Sequence, residues 1–231
     1  PPVLIAGGIL APLPGRLKVV ARSSPVKEYP ASVREGKKHK WQRTVRIDKS
    51  HLLVVDDGGE LVRLQFRQAP SPHLYPVNTL TLKSPLDLDP LAHDGRVVLV
   101  TADRRVQVLG ATDLQVVSET RLPVAATAGP WAFGNRLLIE SGRKQLVCLD
   151  LTDNLKQLWS VDTGNHSVTG KPLEVGGRLI VALHHGQVMA IDPSSGQVGK
   201  TLMLEQTLSL GPRAFGKKLL VPSIDGTLYR V

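Results

Sequence analysis

The stretch GPWAFGNRLLI, from Gly129 to Ile139, recurs as GPRAFGKKLLV from Gly211 to Val221, with seven of eleven positions identical. The two stretches are 82 residues apart, which indicates two periods of about 41 residues. Self-similarity at a fixed period of this length is typical of solenoids, propellers and other repeat architectures. The repeat is therefore the strongest indication of the fold.

Four further copies of this stretch occur in the chain. KPLEVGGRLIV, from Lys171 to Val181, lies between the first two, and DPLAHDGRVVLV, from Asp89 to Val100, precedes them. PVLIAGGILAP starts at Pro2, and TVRIDKSHLLVV, from Thr44 to Val55, keeps only the apolar run. The repeat prolines of the four better copies are spaced by 40, 42 and 40 residues: Pro90, Pro130, Pro172 and Pro212. We expect six repeats, at about 1–43, 44–84, 85–124, 125–166, 167–207 and 208–231.

Each copy continues as an apolar strand, a turn, a second apolar strand, another turn and a third strand. In the clearest copy, RLIVALHH is followed by GQVMAID, the turn PSSG and QVGKTLMLE. Runs of Val, Ile and Leu separated by Gly, Asp and Ser are typical of strands joined by hairpins. Continuous apolar strands must be covered on both faces, so Leu137 and Leu219 are expected to be core residues.

Radially stacked four-stranded sheets meet this demand, because each blade packs between two neighbours and only short edges remain. A β-sandwich is the alternative, but nothing in a sandwich requires one motif every forty residues. We therefore expect an all-β protein, a β-propeller of about six four-stranded blades with about 23 strands. Either the ring closes imperfectly, or the chain is part of a seven- or eight-bladed ring. Residues 1–231 would then form a single propeller domain of a larger chain.

The composition is that of a globular protein, with 42% apolar and 21% charged residues. The longest uncharged stretch, Pro1 to Pro14, is too short and too rich in proline for a transmembrane segment. Cys148 is the only cysteine, which excludes an intramolecular disulfide and a thiolate metal cage. The net charge of +9 is concentrated between Arg34 and Arg46, where six basic residues accompany one acid.

Two segments resemble the quinoprotein-type, or PQQ-like, propeller repeat: VMAIDPSSGQV and LVCLDLTDNLKQLWSVDTG. That repeat consists of a strand, an Ala-x-Asp-x-x-x-Gly turn and a following strand that often carries Trp. Ala190, Asp192 and Gly196 fill the turn positions of one blade, and Trp159 fills the tryptophan position of another. Asp150 fills the aspartate position, but no glycine follows at the right place. The resemblance covers the last hundred residues well and the first eighty poorly.

The resemblance implies a choice between two branches of that family. Its alcohol and sugar dehydrogenases hold pyrroloquinoline quinone and Ca²⁺ over the propeller axis, and the alcohol dehydrogenases typically carry an adjacent pair of cysteines. The lone Cys148 cannot supply such a pair. What the resemblance implies is the cofactor-free branch, similar to the lipoprotein that assists outer-membrane β-barrel assembly. That branch implies no cofactor, no enzymatic activity, and a location in the cell envelope or periplasm.

Two pairs of residues are candidate metal ligands. His184 and His185 are adjacent, and adjacent strand residues point to opposite faces, so we interpret them as turn or core histidines. Asp87 and Asp89 would share a face in an extended strand and could offer two oxygens to Ca²⁺. No further oxygen ligand is evident nearby in the sequence, so we predict no metal site.

The basic segment VREGKKHKWQR, from Val33 to Arg43, interrupts the first repeat. One interpretation is a solvated loop, which is what a run of charges usually forms. The other is a docking arm for a protein partner or an acidic surface, with an aromatic anchor. The candidate partner-binding residues are Arg34, Lys37, Lys38, Lys40, Trp41 and Arg43.

The sequence contains no catalytic constellation, such as a Gly-x-Ser-x-Gly elbow. We therefore predict a non-catalytic propeller scaffold that binds a protein or peptide partner. A quinone-dependent dehydrogenase and a polyanion-binding module acting through the basic loop are the alternatives. With three each of Phe, Tyr and Trp, a base-stacking groove is not expected, and neither is a nucleic-acid partner.

Overall fold

The computed structural model of the chain describes residues 2–5, 8–13, 16–21, 24–29, 40–67, 73–142, 145–216 and 218–230. All regular secondary structure in these ranges is β-strand. The twenty-three strands found there form six antiparallel sheets, five of four strands and one of three. This architecture confirms the predicted all-β propeller fold.

The chain divides into two compact units, Pro1–Arg121 (unit 1) and Leu122–Val231 (unit 2). The strands of unit 1 are β1 (Val3–Ile5), β2 (Gly8–Leu13), β3 (Arg16–Ala21), β4 (Ser24–Tyr29), β5 (Trp41–Arg46), β6 (His51–Asp56), β7 (Glu60–Arg67), β8 (His73–Thr81), β9 (Leu91–His93), β10 (Arg96–Val100), β11 (Arg105–Gly110) and β12 (Val116–Arg121). The strands of unit 2 are β13 (Ala126–Phe133), β14 (Arg136–Ser141), β15 (Gln145–Asp150), β16 (Gln157–Asp162), β17 (Leu173–Val175), β18 (Arg178–Ala182), β19 (Gln187–Ile191), β20 (Val198–Met203), β21 (Arg213–Phe215), β22 (Lys218–Pro222) and β23 (Leu228–Arg230).

Within every sheet the strands lie in chain order, and each pairs with the strand that follows it. Antiparallel neighbours need only a short turn between them, which the Gly, Asp and Ser positions of the repeat provide. The first copy of the repeat motif spans β13 and β14, and the second spans β21 and β22. The repeat therefore corresponds to the first hairpin of a sheet.

The core of unit 1 explains why its strands are apolar on both faces. Along β6, Leu52 and Val54 belong to one buried cluster, which includes Leu10, Leu17 and residues of β5, β7 and β8. Leu53 and Val55, which alternate with them, belong to a second buried cluster with residues of β10 and β11. Because successive side chains of a strand point to opposite faces, one continuous apolar run fills two cores.

Unit 2 repeats this arrangement around β18. Leu179 and Val181 lie in a buried cluster that includes Leu138, Cys148 and Trp159. On the other face of β18, Ala182 lies in a cluster with residues of β19, β22 and the segment before β21. The sheet β17–β20 therefore packs between its two neighbours within this unit.

The two copies of the motif differ in burial. Leu137 is fully buried on β14, as predicted. Leu219, at the equivalent position of β22, is only partly buried, so the expectation of burial on both faces was wrong for this strand. The physical reason lies in its neighbours: β21 and β23 leave most of their side chains exposed, as at Phe215, which is 70% exposed.

The predicted Ala-x-Asp-x-x-x-Gly turn joins β19 to β20. The Asp192 carboxylate accepts hydrogen bonds from the backbone N–H groups of Ser194 and Ser195, at 2.9 and 3.1 Å. Gly196 has φ +73°, and a Cβ atom there would lie 2.7 Å from the ring of Trp159. The Trp159 Nε1–H donates to the carbonyl of Pro193 at 2.9 Å. The tryptophan of one sheet thus covers the turn of the next.

Candidate functional site

The predicted basic segment falls partly outside the described residues, where Arg34, Lys37 and Lys38 lie. Lys40 is exposed, with its Nζ 3.8 Å from the Asp57 carboxylate. Trp41 opens β5 and is a buried member of the first core cluster of unit 1. The structure therefore places Trp41 in the core, and a partner-binding role for the segment stays a prediction.

Arg43 connects the segment to the two aspartates considered as calcium ligands. Its guanidinium donates to the carbonyl oxygen of Asp87 at 3.1 Å and lies 3.7 Å from the Asp89 carboxylate. Arg43 thus supplies a positive charge beside the Asp89 carboxylate. Across the described part of the chain, no three His, Cys, Asp or Glu side chains are grouped so that they could hold a metal ion.

The remaining reactive side chains singled out in the sequence are Cys148, His184 and His185. Burial raises the pKa of the Cys148 thiol to about 12, so the thiol stays protonated near neutral pH and is a poor nucleophile. His184 and His185 lie in the turn between β18 and β19. Within the described ranges, no helix is long and apolar enough to cross a membrane.

A groove of about 440 Å³ in unit 2 is a candidate for a partner-binding site. It lies where the end of β13 meets the starts of β17 and β21, which are the first strands of three successive sheets. Eight residues line it: Phe133, Lys171, Pro172, Leu173, Glu174, Pro212, Arg213 and Ala214. Two of the repeat prolines, Pro172 and Pro212, are among them.

Two glycines allow the backbones to approach closely next to the groove. Gly170 has φ +65°, and a Cβ atom on it would lie 2.2 Å from the backbone nitrogen of Gly211. A Cβ atom on Gly211 would lie 2.5 Å from the carbonyl oxygen of Lys171. Since no side chain fits between them, the backbone segments that lead into β17 and β21 lie side by side. This contact sets the spacing of the groove walls.

The groove combines apolar surface with positive charge. Phe133 is half-buried, and the Lys171 ammonium lies 5.5 Å from the centre of its ring, within range of a cation–π interaction. Arg213 is exposed at the start of β21, and Glu174 adds one carboxylate. A groove lined by an aromatic ring, prolines and two cations suits a peptide segment that carries apolar and acidic side chains.

Sequence reasoning missed this groove because its residues are spread over about eighty positions. Phe133, Lys171 and Arg213 are forty or so residues apart, which is the period of the repeat. They lie at different places relative to the repeat prolines, so the period indicates which first strands are neighbours but not which side chains line the groove. The histidine pair, the aspartate pair and the basic segment, by contrast, do not line the groove.

The family profile of PQQ-like repeats described as "Outer membrane protein assembly factor BamB" matches residues 115–199. The matched region contains both segments that resembled the repeat, with the Asp192–Gly196 turn and Trp159. Residues 115–199 of the chain therefore carry PQQ-like β-propeller repeats. No curated protein matches the sequence at a significant level.

Several solved structures share the propeller fold of this chain. BamB from Moraxella catarrhalis superposes with a TM-score of 0.73 and 17% identity, over all of this chain and 71% of that one. The dihydro-heme d1 dehydrogenase NirN, solved with DHE, gives a TM-score of 0.76 and 18% identity, over 96% of this chain and 54% of that one. Sqt1 of Saccharomyces cerevisiae gives a TM-score of 0.72 and 13% identity, over 97% of this chain and 67% of that one. At these identities the likeness concerns the fold alone, and this chain spans about half of NirN.

Proposed function

We propose that the chain is a non-catalytic PQQ-like propeller that binds a protein partner, and that a segment of the partner occupies the groove of unit 2. The observation that carries the proposal is the groove itself, which is lined by Phe133, two buried prolines and the cations of Lys171 and Arg213. Rigid first strands form its walls, so little conformational entropy would be lost there on binding.

The chemistry of the groove favours a peptide over a small substrate. Its described lining contains no thiol, imidazole or hydroxyl that could act as a nucleophile, and one carboxylate, Glu174. Apolar contacts supply affinity, and the two cations select acidic side chains and orient the segment. Binding a peptide therefore gives a role to both the apolar and the cationic side chains that line the groove.

The relatives support a binding role in the cell envelope. The family profile is named for an outer-membrane protein assembly factor, and BamB itself is among the structural neighbours. NirN, named as a dehydrogenase, supports the enzymatic alternative by its fold alone. Isothermal calorimetry with pyrroloquinoline quinone and Ca²⁺ separates the two, because a stoichiometric quinone complex would contradict the scaffold.

The test of the groove is a charge reversal with a matched control. The variant Lys171→Glu with Arg213→Glu reverses both cations of the groove, whereas Lys156→Glu with Lys200→Glu changes the net charge equally at exposed sites outside it. We expect wild type and the control to capture the same protein from an envelope extract, and the groove variant to lose at least about 90% of it, since desolvated charge contacts dominate such losses. Equal capture by all three proteins would refute the groove as the binding site.

The basic segment is a second contact that the same assay can test. Changing Lys37, Lys38 and Lys40 to Gln removes three charges and leaves Arg43, which holds Asp87, in place. If the segment contacts an acidic surface, capture falls with rising salt in wild type and becomes less salt-dependent in this variant. Unchanged salt dependence would restrict binding to the groove.

A further inference from the structure

Two histidine rings stack on each other in unit 2, away from the groove lining. The ring centres of His166 and His185 are 3.4 Å apart and their planes differ by 19°. His166 lies in the segment that connects β16 to β17 and is exposed, whereas His185 lies in the turn between β18 and β19 and is half-buried. The stack therefore joins a connecting segment to a hairpin turn.

Backbone hydrogen bonds hold the two elements together beside the stack. The His184 N–H donates to the carbonyl of Ser167 at 2.9 Å, and the Thr169 N–H donates to the carbonyl of Ala182 at 2.8 Å. An isolated bridge pairs Val168 with Leu183. Any force that separates the two rings acts on these bonds first.

Equivalent turns in two other sheets show that the fold does not need histidine here. In the turn after β18, the Leu183 N–H donates to the carbonyl of Gln187. The turns after β10 and β22 close with the same backbone bond, from Thr101 to Arg105 and from Ser223 to Thr227. Their middle position is Asp103 or Asp225, and the carboxylate accepts a hydrogen bond from the hydroxyl of Thr101 or Ser223.

The turn after β18 departs from this pattern at both positions. Leu183 replaces the hydroxyl residue, and His185 replaces the aspartate. The segments that face these turns can be aligned on the residues that form the isolated bridges, which are Leu86, Val168 and Leu208. Two positions before each bridge residue the chain has Ser84, His166 and Gln206, respectively. Histidines thus occupy both facing positions beside β18. In the other two sheets these positions hold a neutral residue, Ser84 or Gln206, and an aspartate, Asp103 or Asp225.

The surroundings of His185 disfavour a positive charge. Burial lowers the pKa of His185, and the nearby His166 and His184 lower it further. The Nδ1 atom of His185 is buried and makes no hydrogen bond. The carboxylates nearby in the chain bond elsewhere or are exposed: Asp162 accepts the Gly164 N–H, Glu140 accepts the Val168 N–H, and Glu205 is exposed.

We propose that the His166–His185 stack is a pH-sensitive latch, closed when both imidazoles are neutral and opened when both carry a proton. Two imidazolium rings 3.4 Å apart repel each other, and no described carboxylate lies between them to offset the repulsion. Because the folded protein binds protons at His185 less well than the unfolded chain, the stabilisation by the stack is fully present above the ordinary histidine pKa of 6.5 and is lost as the pH falls below it. Acidification therefore releases the segment between β16 and β17.

The test compares amide hydrogen exchange of Thr169 and His184 at pH 7.5 and pH 5.5, corrected for the intrinsic pH dependence of exchange. In wild type we expect protection to fall on the order of tenfold at the lower pH, because repulsion between the two protonated rings opens the backbone bonds beside them. The triple variant His166→Gln, Leu183→Ser, His185→Asp gives the first and middle positions of this turn, and the facing position of the connecting segment, the residues found at the turn after β22. In this variant, protection at pH 5.5 should stay within about twofold of protection at pH 7.5.

Two further variants keep the proposal falsifiable if the triple variant does not fold. His166→Phe changes an exposed ring, keeps the stack and removes one charge, and it should reduce the pH dependence. His184→Asn changes the neighbouring exposed histidine, which is not in the stack, and should keep most of it. The same pH dependence in wild type and His166→Phe would overturn the latch, as would a His185 pKa at or above 6.5 in an NMR titration.

Discussion

The hairpins β13–β14 and β21–β22 share seven of eleven motif residues, yet they lie in different environments. On β14 the five residues from Leu137 to Ser141 are all buried. On β22 only Val221 is buried, and Leu219 and Leu220 are partly exposed. A repeated sequence therefore specifies the strand and its register, whereas burial depends on the sheets that pack against it.

The largest expected effect separates the two copies at their equivalent leucines. Leu137→Ala removes a fully buried side chain from a strand enclosed on both faces and should lower the free energy of unfolding by about 3 to 4 kcal/mol. Leu219→Ala removes a partly exposed side chain and should cost about 1 kcal/mol. Urea denaturation of both variants measures the difference. Equal losses would mean that β22 is as enclosed as β14.

A second prediction concerns the glycine beneath Trp159. Gly196→Ala places a methyl group 2.7 Å from the tryptophan ring at φ +73°, and it should cost about 2 to 3 kcal/mol through the clash and the backbone strain together. Thermal and chemical denaturation would measure the loss. The matched control is Gly216→Ala, at φ +59° with no atom within 4 Å of the new Cβ. A loss no larger than that of the control would show that Trp159 does not press on the turn.

The turn glycines of the two motif copies should behave alike. Gly134 and Gly216 have φ +55° and +59°, and a Cβ atom on either would meet open space. Replacing either with Ala should cost about 1 kcal/mol, which is the strain of an L-residue in the left-handed region. A clear inequality between the two melting curves would contradict the claim that the hairpins share one local conformation.

The smallest expected effect is an acid dependence of the turn that follows the second copy. Hydrogen bonds from Ser223 and Thr227 lower the pKa of Asp225, in the turn after β22. Because the folded pKa is depressed, its stabilisation is present above the ordinary value of 3.8 and is lost as the pH falls through the folded pKa. Asp225→Asn should therefore lower the melting temperature at pH 7 and have little effect near pH 3. A constant difference across this range would exclude the linkage.

Much of the fold could be predicted because the repeat marks its own turns. The Asp192–Gly196 turn was identified from a glycine that the backbone requires. The corresponding turns after β11 and β15 could not be identified in this way, since Leu114 and Leu155 take the positive φ values of 60° and 58° there. Both leucines are buried, so packing compensates for a conformation that leucine rarely adopts.

The candidate site could be predicted less well, because it depends on which repeats meet. Neither Lys171 nor Arg213 belongs to a chemical motif, and each acquires a role only when β17 and β21 start side by side. The burial of Trp41 likewise depends on contacts with distant strands such as β2 and β3. Local pattern predicts strands and turns, and contacts across the period determine sites.

The strict chain order of the strands also has a consequence for synthesis on the ribosome. Within each sheet of the described residues, every strand after the first pairs with the one before it, so a sheet needs only about forty consecutive residues. A sheet can begin to form as soon as its own strands have emerged, while the next repeat is still being translated. Its exposed face is then covered by the following repeat, and the time that apolar strands spend in water is set by the rate of elongation.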